Sequence, residues 1–271
     1  MGEENSIKRK PIHFDTKAQE YEGNIYSTND GSKLIVKKYN NQKNVEIQFL
    51  DDNGYKTTST MYNIRKGSVK NPYAKLKCGG YYGEGNYIAN NEIRIYKSWE
   101  SMLRRALLHE NHKSYYKCAV CKEWESLQNF ASWYISYRNQ LNPLYNDRYQ
   151  IDKDILQWNK EYKIYSPETC CLVPDQINAM LTGMHPEKNK DIPIGVYPNK
   201  YGRYAAYVSN YGNRYSLGTY DTPEEAFEVY KNAKKDLLIN AADIYYKDNA
   251  ITKDIYNLLK IIYKFNEIRF L

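Results

Sequence analysis

PIGVYPNKYGRYAAYVSNYGNRYSLGTYDTPEEAFEVYKNAKKDLL, residues 193–238, sets three short alternating segments before one long amphipathic segment. The clusters Lys200-Tyr201-Gly202 and Asn210-Tyr211-Gly212-Asn213 are rich in turn formers and join antiparallel neighbours. Side chains alternate along a strand, so Tyr204, Ala206 and Val208 point one way, and Arg203, Ala205, Tyr207 and Ser209 the other. In the third strand Tyr215 and Leu217 take the inner face, leaving Arg214 and Ser216 outside. Thr222-Pro223-Glu224-Glu225 then opens a helix with a capping box, a proline in the first turn and acids at the positive end of the helix dipole. Its apolar stripe, Ala226, Tyr230, Ala233, Leu237 and Ala241, covers one face of the sheet and leaves the other free.

That free face offers Tyr197, Asn199, Tyr201, Arg203, Tyr207 and Arg214, and no acid occurs between Pro193 and Tyr220. Cations that bind phosphate and flat side chains that reach bases would suit a nucleic-acid groove. A small solvated sheet packed on a neighbour fits the pattern equally well. GRYAAYV followed by RYSLGTYDTPEEAFEVY resembles the APETALA/ethylene-response-factor type DNA-binding domain. The resemblance covers the last third of the chain and implies a three-stranded antiparallel sheet packed on one helix. Its reading positions fall on Tyr197, Asn199, Tyr201, Tyr207, Ser209, Arg214 and Ser216. Only Arg214 keeps a basic residue there and the family's tryptophans are absent, so the resemblance carries the fold further than the sequence preference.

Length and composition bound the rest. At 271 residues the chain holds two or three small domains. A net charge of +7 leans toward a polyanionic partner, and Tyr 30 against Phe 6 suits wet interfaces and stacking, although an AT-rich genome also raises tyrosine. There is no apolar run of membrane-spanning length and no signal-peptide core, and the five cysteines are an odd number in a long chain. The expectation is a soluble cytoplasmic protein with no membrane partner.

The overall expectation is an α+β protein. Residues 1–20 read as a flexible arm and 21–75 as a small β-barrel or meander, with KLIVKKY, NVEIQFL and YKTTSTMYNI joined by Asn-Asn and Asp-Asn-Gly turns. This module is similar to the β module attached to phage HNH-type proteins; a plain packing domain is the alternative. Residues 76–92 carry Gly79, Gly80, Gly83 and Gly85 and read as a linker, since no Lys-Ser/Thr follows to make a phosphate loop. Two aromatic helices follow within residues 93–183, then a linker over 184–192 and the domain of residues 193–271.

IDKDILQWNKEYKIYSPETCCLVPDQIN, residues 151–178, together with YKSWESMLRRA and CKEWESLQNFASWY before it, resembles the phage-type HNH endonuclease domain, a β-hairpin and helix clasping one divalent metal. The resemblance places Asp152 and Asn178 at metal positions, Lys153 at the general-base histidine, and Asn159 near the asparagine that fixes the hairpin. A lysine of ordinary pKa is protonated at neutral pH and takes no proton from water. Asp154 is the substitute base. Strand alternation would put it on the side of Asp152, away from Lys153, where two carboxylates would suit Mg²⁺ or Mn²⁺. Surface salt bridges among the three residues are the non-catalytic alternative. His109, His112, Cys118 and Cys121 have the residue types and spacing of a Zn²⁺ site, though a zinc-free arrangement is preferred. Cys170 and Cys171 read as buried small side chains.

The leading functional reading is a phage-type nucleic-acid-binding protein with a degenerate, noncatalytic HNH-like centre, acting in regulation or in interference with host defence. Its partner is DNA first, RNA second, with a host protein complex as a further partner, and binding requires no cofactor. The alternatives are an active metal-dependent homing-type HNH endonuclease and a tyrosine-rich protein-protein interaction module.

Overall fold

Alternation in KLIVKKY and NVEIQF puts Leu34, Val36, Tyr39, Val45, Ile47 and Phe49 on one buried face. Ile25–Ser27 (β1), Lys33–Asn41 (β2), Asn44–Phe49 (β3) and Lys56–Ser59 (β4) pair antiparallel in the order β1-β2-β3-β4. This is the meander, and the barrel alternative is corrected: the sheet is open. Helix Thr16–Tyr21 (α1) sets Tyr21 against Tyr39 with ring centroids 5.1 Å apart. The strand expected over YKTTSTMYNI ends at Ser59. Thr60 then accepts a hydrogen bond from Asn63 N–H and caps a helix, Met61–Lys66 (α2), which buries Met61 and Ile64. In this computed structural model, which describes residues 16–87, 90–108, 116–182 and 192–264, the chain divides into two compact units. The meander belongs to the first, residues 1–76 and 81–84.

The second unit comprises residues 77–80 and 85–271. Ile93–Leu107 (α3) buries Ile95, Trp99, Met102, Leu103 and Ala106, and Leu127–Arg138 (α4), capped by Ser126, buries Leu127, Phe130, Ala131 and Tyr134. Trp99 satisfies its indole N–H on the Trp124 carbonyl at 2.8 Å, which lets the ring be fully buried. Gly80 lies so close to α3 that a Cβ there would stand 2.4 Å from the Trp99 ring, so this glycine packs against the helix.

Four short strands follow in two pairs. Cys118–Val120 (β5) runs parallel to Lys163–Tyr165 (β7), and Tyr149–Asp152 (β6) runs antiparallel to Cys171–Pro174 (β8), which leads directly into Asp175–Thr182 (α5). The last sheet, Val196–Pro198 (β9), Tyr204–Asn210 (β10) and Asn213–Tyr220 (β11), is antiparallel in the order β11-β10-β9. Its inner face packs on the first half of Pro223–Lys247 (α6), with Val196, Ala206 and Ala226 buried together. Gly195, at φ 78°, is required there, because a Cβ would sit 2.2 Å from the Tyr230 ring.

The second half of α6 does something else. Leu238, Ala241, Ala242 and Tyr245 enter one core with Val173 of β8, Ile177 of α5 and Ile255 and Leu259 of Lys253–Lys264 (α7). One helix therefore ties the sheet to the β6–β8–α5 hairpin. Gln176 of α5 reinforces the tie, accepting from the Tyr245 hydroxyl at 2.7 Å and donating to Asn210 at the end of β10 at 3.0 Å. Among the described residues, no helix is long and apolar enough to cross a membrane.

Candidate nucleic-acid interface and central cleft

The register of the last sheet decides which residues share its outer face. Ala205 pairs with Tyr197 and Thr219, Tyr207 with Ser216 and Ser209 with Arg214, after a bulge that leaves Leu217 unpaired. Arg214 is exposed, and its guanidinium carbon lies 4.2 Å from the Tyr197 ring centre and 3.9 Å from that of Tyr207. The rings meet edge to face at 5.8 Å, so the arginine sits in the corner between them. Each contact contributes about 0.5 to 1 kcal/mol at an exposed site and removes freedom from an otherwise mobile side chain. The Arg214 guanidinium has no hydrogen bond or ion pair to another described residue, and its N–H fork is available to an acceptor.

The other predicted reading residues divide differently. Ser209 and Ser216 are exposed beside Arg214. Asn199 spends its side-chain oxygen on the backbone N–H groups of Tyr201 and Arg203, at 2.9 and 3.1 Å, so it shapes the β9–β10 turn. Tyr201 stands 76% exposed at that turn. Arg203 forms an ion pair with Asp221 at 2.7 Å and donates to the Thr219 carbonyl. The acid that neutralises it lies one residue beyond the acid-free stretch. Tyr215, expected on the inner face opposite Val208, remains 50% exposed.

In the centre, a cleft of about 560 Å³ is lined by Asp152, Lys153, Asp154 and Asn178, so the four residues to which the sequence resemblance gave metal and base positions line one cleft. The expected alternation fails because β6 ends at Asp152 and the chain turns. The Asp152 Oδ1 accepts from the N–H groups of both Asp154 and Ile155 at 2.7 Å. Lys153 folds back to grip both Asp154 oxygens, at 2.8 and 2.9 Å, and Lys163 from β7 adds a third contact at 2.5 Å. Burial acts to raise the Asp154 pKa, but the charges of Lys153 and Lys163 outweigh it and hold the carboxyl below its usual range. Burial and then the Asp154 charge push Asp152 up to about 6, against the pull of its two backbone donors and Lys153.

This donor set does not fit a divalent metal. The Asp154 oxygens are held by two ammonium groups, and Asp152 is 2% exposed with one oxygen committed to backbone donors. Nor does either predicted base suit the work. Lys153 is an ion-paired ammonium, and Asp154 has lost proton affinity.

Asn159 is exposed and does not brace the hairpin; Gln157 does. Its amide nitrogen donates to the carbonyls of Lys153, Ile164 and Thr169, and its oxygen accepts from Ile164 N–H at 2.9 Å. Of the zinc candidates, His109 and His112 lie outside the described residues. Cys118 and Cys121 are half-buried free thiols, each pushed up in pKa chiefly by burial. Cys170 and Cys171 are buried, as their reading anticipated, and burial raises both thiols far from reactivity.

The residues that sequence reasoning missed are Lys163, Gln157 and the cations of α3 that line the cleft, Arg94, Lys97 and Arg105. The α3 set was legible in principle, since positions 94, 97, 98, 101 and 105 recur at helical spacing opposite the apolar stripe. Compared with protein-family models, with characterised proteins and with solved structures, the chain matches none.

Proposed function

We propose that this chain is a nucleic-acid-binding protein that holds its target against the outer face of the β9–β11 sheet, and that its HNH-like centre is noncatalytic. The observation that carries the reading is Arg214, an exposed guanidinium seated between Tyr197 and Tyr207. A side chain so held loses little entropy on forming two parallel hydrogen bonds to a base edge, and the flanking rings offer surfaces for stacking. The noncatalytic centre is supported by the lysine pair on Asp154, which supplies neither a metal site nor a base. Such a protein would act by occupying nucleic acid, which suits regulation or interference with a host complex.

The experiment is a binding titration of the full chain with labelled DNA duplex and single-stranded RNA across a salt series. Affinity is expected to fall with salt, at a slope of about −0.9 per neutralised phosphate on duplex DNA. Arg214→Ala is expected to weaken binding by about 1 to 3 kcal/mol, and Lys247→Ala, an exposed charge at the end of α6, by far less. The nucleic acid should be recovered uncut after incubation with Mg²⁺. No binding at low salt, or equal affinities for the two variants, would sink the reading.

A further inference from the structure

The polar face of α3 runs along the cleft with Arg94, Lys97, Ser98, Ser101 and Arg105 at steps of three, one, three and four residues. Arg94 and Lys97 have no ion-pair partner among the described residues, whereas the neighbouring Arg104 pairs with Glu100 and Arg138 with Glu92. From Arg94 to Arg105 the helix advances about 16 Å. That span exceeds one phosphate group. It fits several successive phosphates, which follow at about 3.4 Å of axis along one strand of a duplex.

The carboxylates facing the same cleft are Asp147, Asp152 and Asp154. Asp147 is exposed, Asp152 is buried and turned to backbone donors, and Asp154 is covered by two ammonium groups. Lys153 and Lys163 therefore only offset Asp152 and Asp154, and the surplus positive charge along the cleft comes from Arg94, Lys97 and Arg105 set against the exposed Asp147.

We propose that the α3 face and the Lys153 ammonium form a track for a phosphodiester backbone that works without metal. The proposal rests on the nucleic-acid reading and adds a contact surface distinct from the β9–β11 sheet. The serines would donate to phosphate oxygens between the cations, and Lys153, braced on Asp154, would face the backbone from the opposite wall.

The test uses the full chain with a labelled DNA duplex, in EDTA and in Mg²⁺, and compares it with the double variant Arg94→Gln/Lys97→Gln. Both side chains lie at least partly in solvent, so the variant is expected to fold. Its slope of log K against log salt should be shallower by about 1.8, two phosphates' worth, and EDTA should leave wild-type binding unchanged. An unchanged slope and affinity in the double variant, with Arg214→Ala still impaired, would overturn the track and spare the sheet reading. Wild-type binding abolished by EDTA and restored by Mg²⁺ would overturn the metal-free assignment. A third arm titrates inorganic phosphate: saturable binding that the duplex cannot displace would make the cleft a small-anion pocket and overturn the proposal. Failure of the wild type to bind any nucleic acid would remove the parent reading and the track together.

Discussion

Asp152 is a carboxylate held where its charge is expensive, and the consequence is a pH dependence with a definite sign. Its folded pKa, about 6, lies above the ordinary 3.8, so its contribution to stability is fully present below about pH 4 and is lost as pH rises through 6. Asp152→Asn keeps an oxygen for the two backbone N–H groups and removes the charge. The variant should be the more stable protein at pH 8, by up to about 3 kcal/mol, and equal to the parent near pH 4. Urea denaturation at the two pH values measures this; a variant weaker at pH 8 would mean that the carboxylate is needed by Lys153. Much of this site was legible from residues 151–178, since the resemblance brought Asp152, Lys153, Asp154 and Asn178 to one place and the cleft contains all four. Lys163 was not, because its contact with Asp154 depends on how β7 returns beside the turn after β6. Arg203 misled for a local reason: its partner, Asp221, lies just past the strands being read.

At the scale of elements, period-two alternation found the strands of the meander and of the last sheet, and the capping box found the start of α6. The helix face drifted. Of the expected stripe, Ala226, Tyr230 and Ala241 are buried, whereas Ala233 and Leu237 are only half-buried and Lys234, Leu238 and Ala242 take the buried line between and beside them. Lys234 broke the pattern because its long stem packs while its charge reads as surface; burial lowers its pKa. The hairpin brace was misplaced by two residues, and that can be tested. Gln157→Leu removes four hydrogen bonds to the backbone at residues 153, 164 and 169. The expected loss is about 2 to 4 kcal/mol, since several polar groups are left unsatisfied at once. Asn159→Ala, at an exposed position, should fall within about 0.5 kcal/mol of the parent. Chemical denaturation ranks the two, and equal losses would show that Gln157 is not the brace.

For the second unit as a whole, the decisive element is α6, 25 residues and about 37 Å long, which serves two cores in turn. A boundary near residue 192 follows naturally from the sequence, because the resemblance treats the sheet and its helix as complete and an amphipathic stripe does not say what it packs against. The structure gives Leu238, Ala241, Ala242 and Tyr245 to the hairpin core, and α7 adds Ile255 and Leu259 to it. What remains under the sheet is small, with Val196, Ala206 and Ala226 buried. A fragment of residues 193–271 would expose the far half of α6 and the apolar face of α7 together, an apolar surface that needs the partners left behind on β8 and α5. The fragment is therefore expected to aggregate or to give a poorly dispersed NMR spectrum. Residues 77–271 should give dispersed signals and one cooperative thermal transition, with near-UV signal and helix content lost together. Two separated transitions in residues 77–271, or a well-dispersed spectrum from residues 193–271 alone, would mean that the sheet is independent of the centre. α6 would then be a tether, and Arg214 and the α3 cleft would not be held in a fixed relation on one nucleic acid.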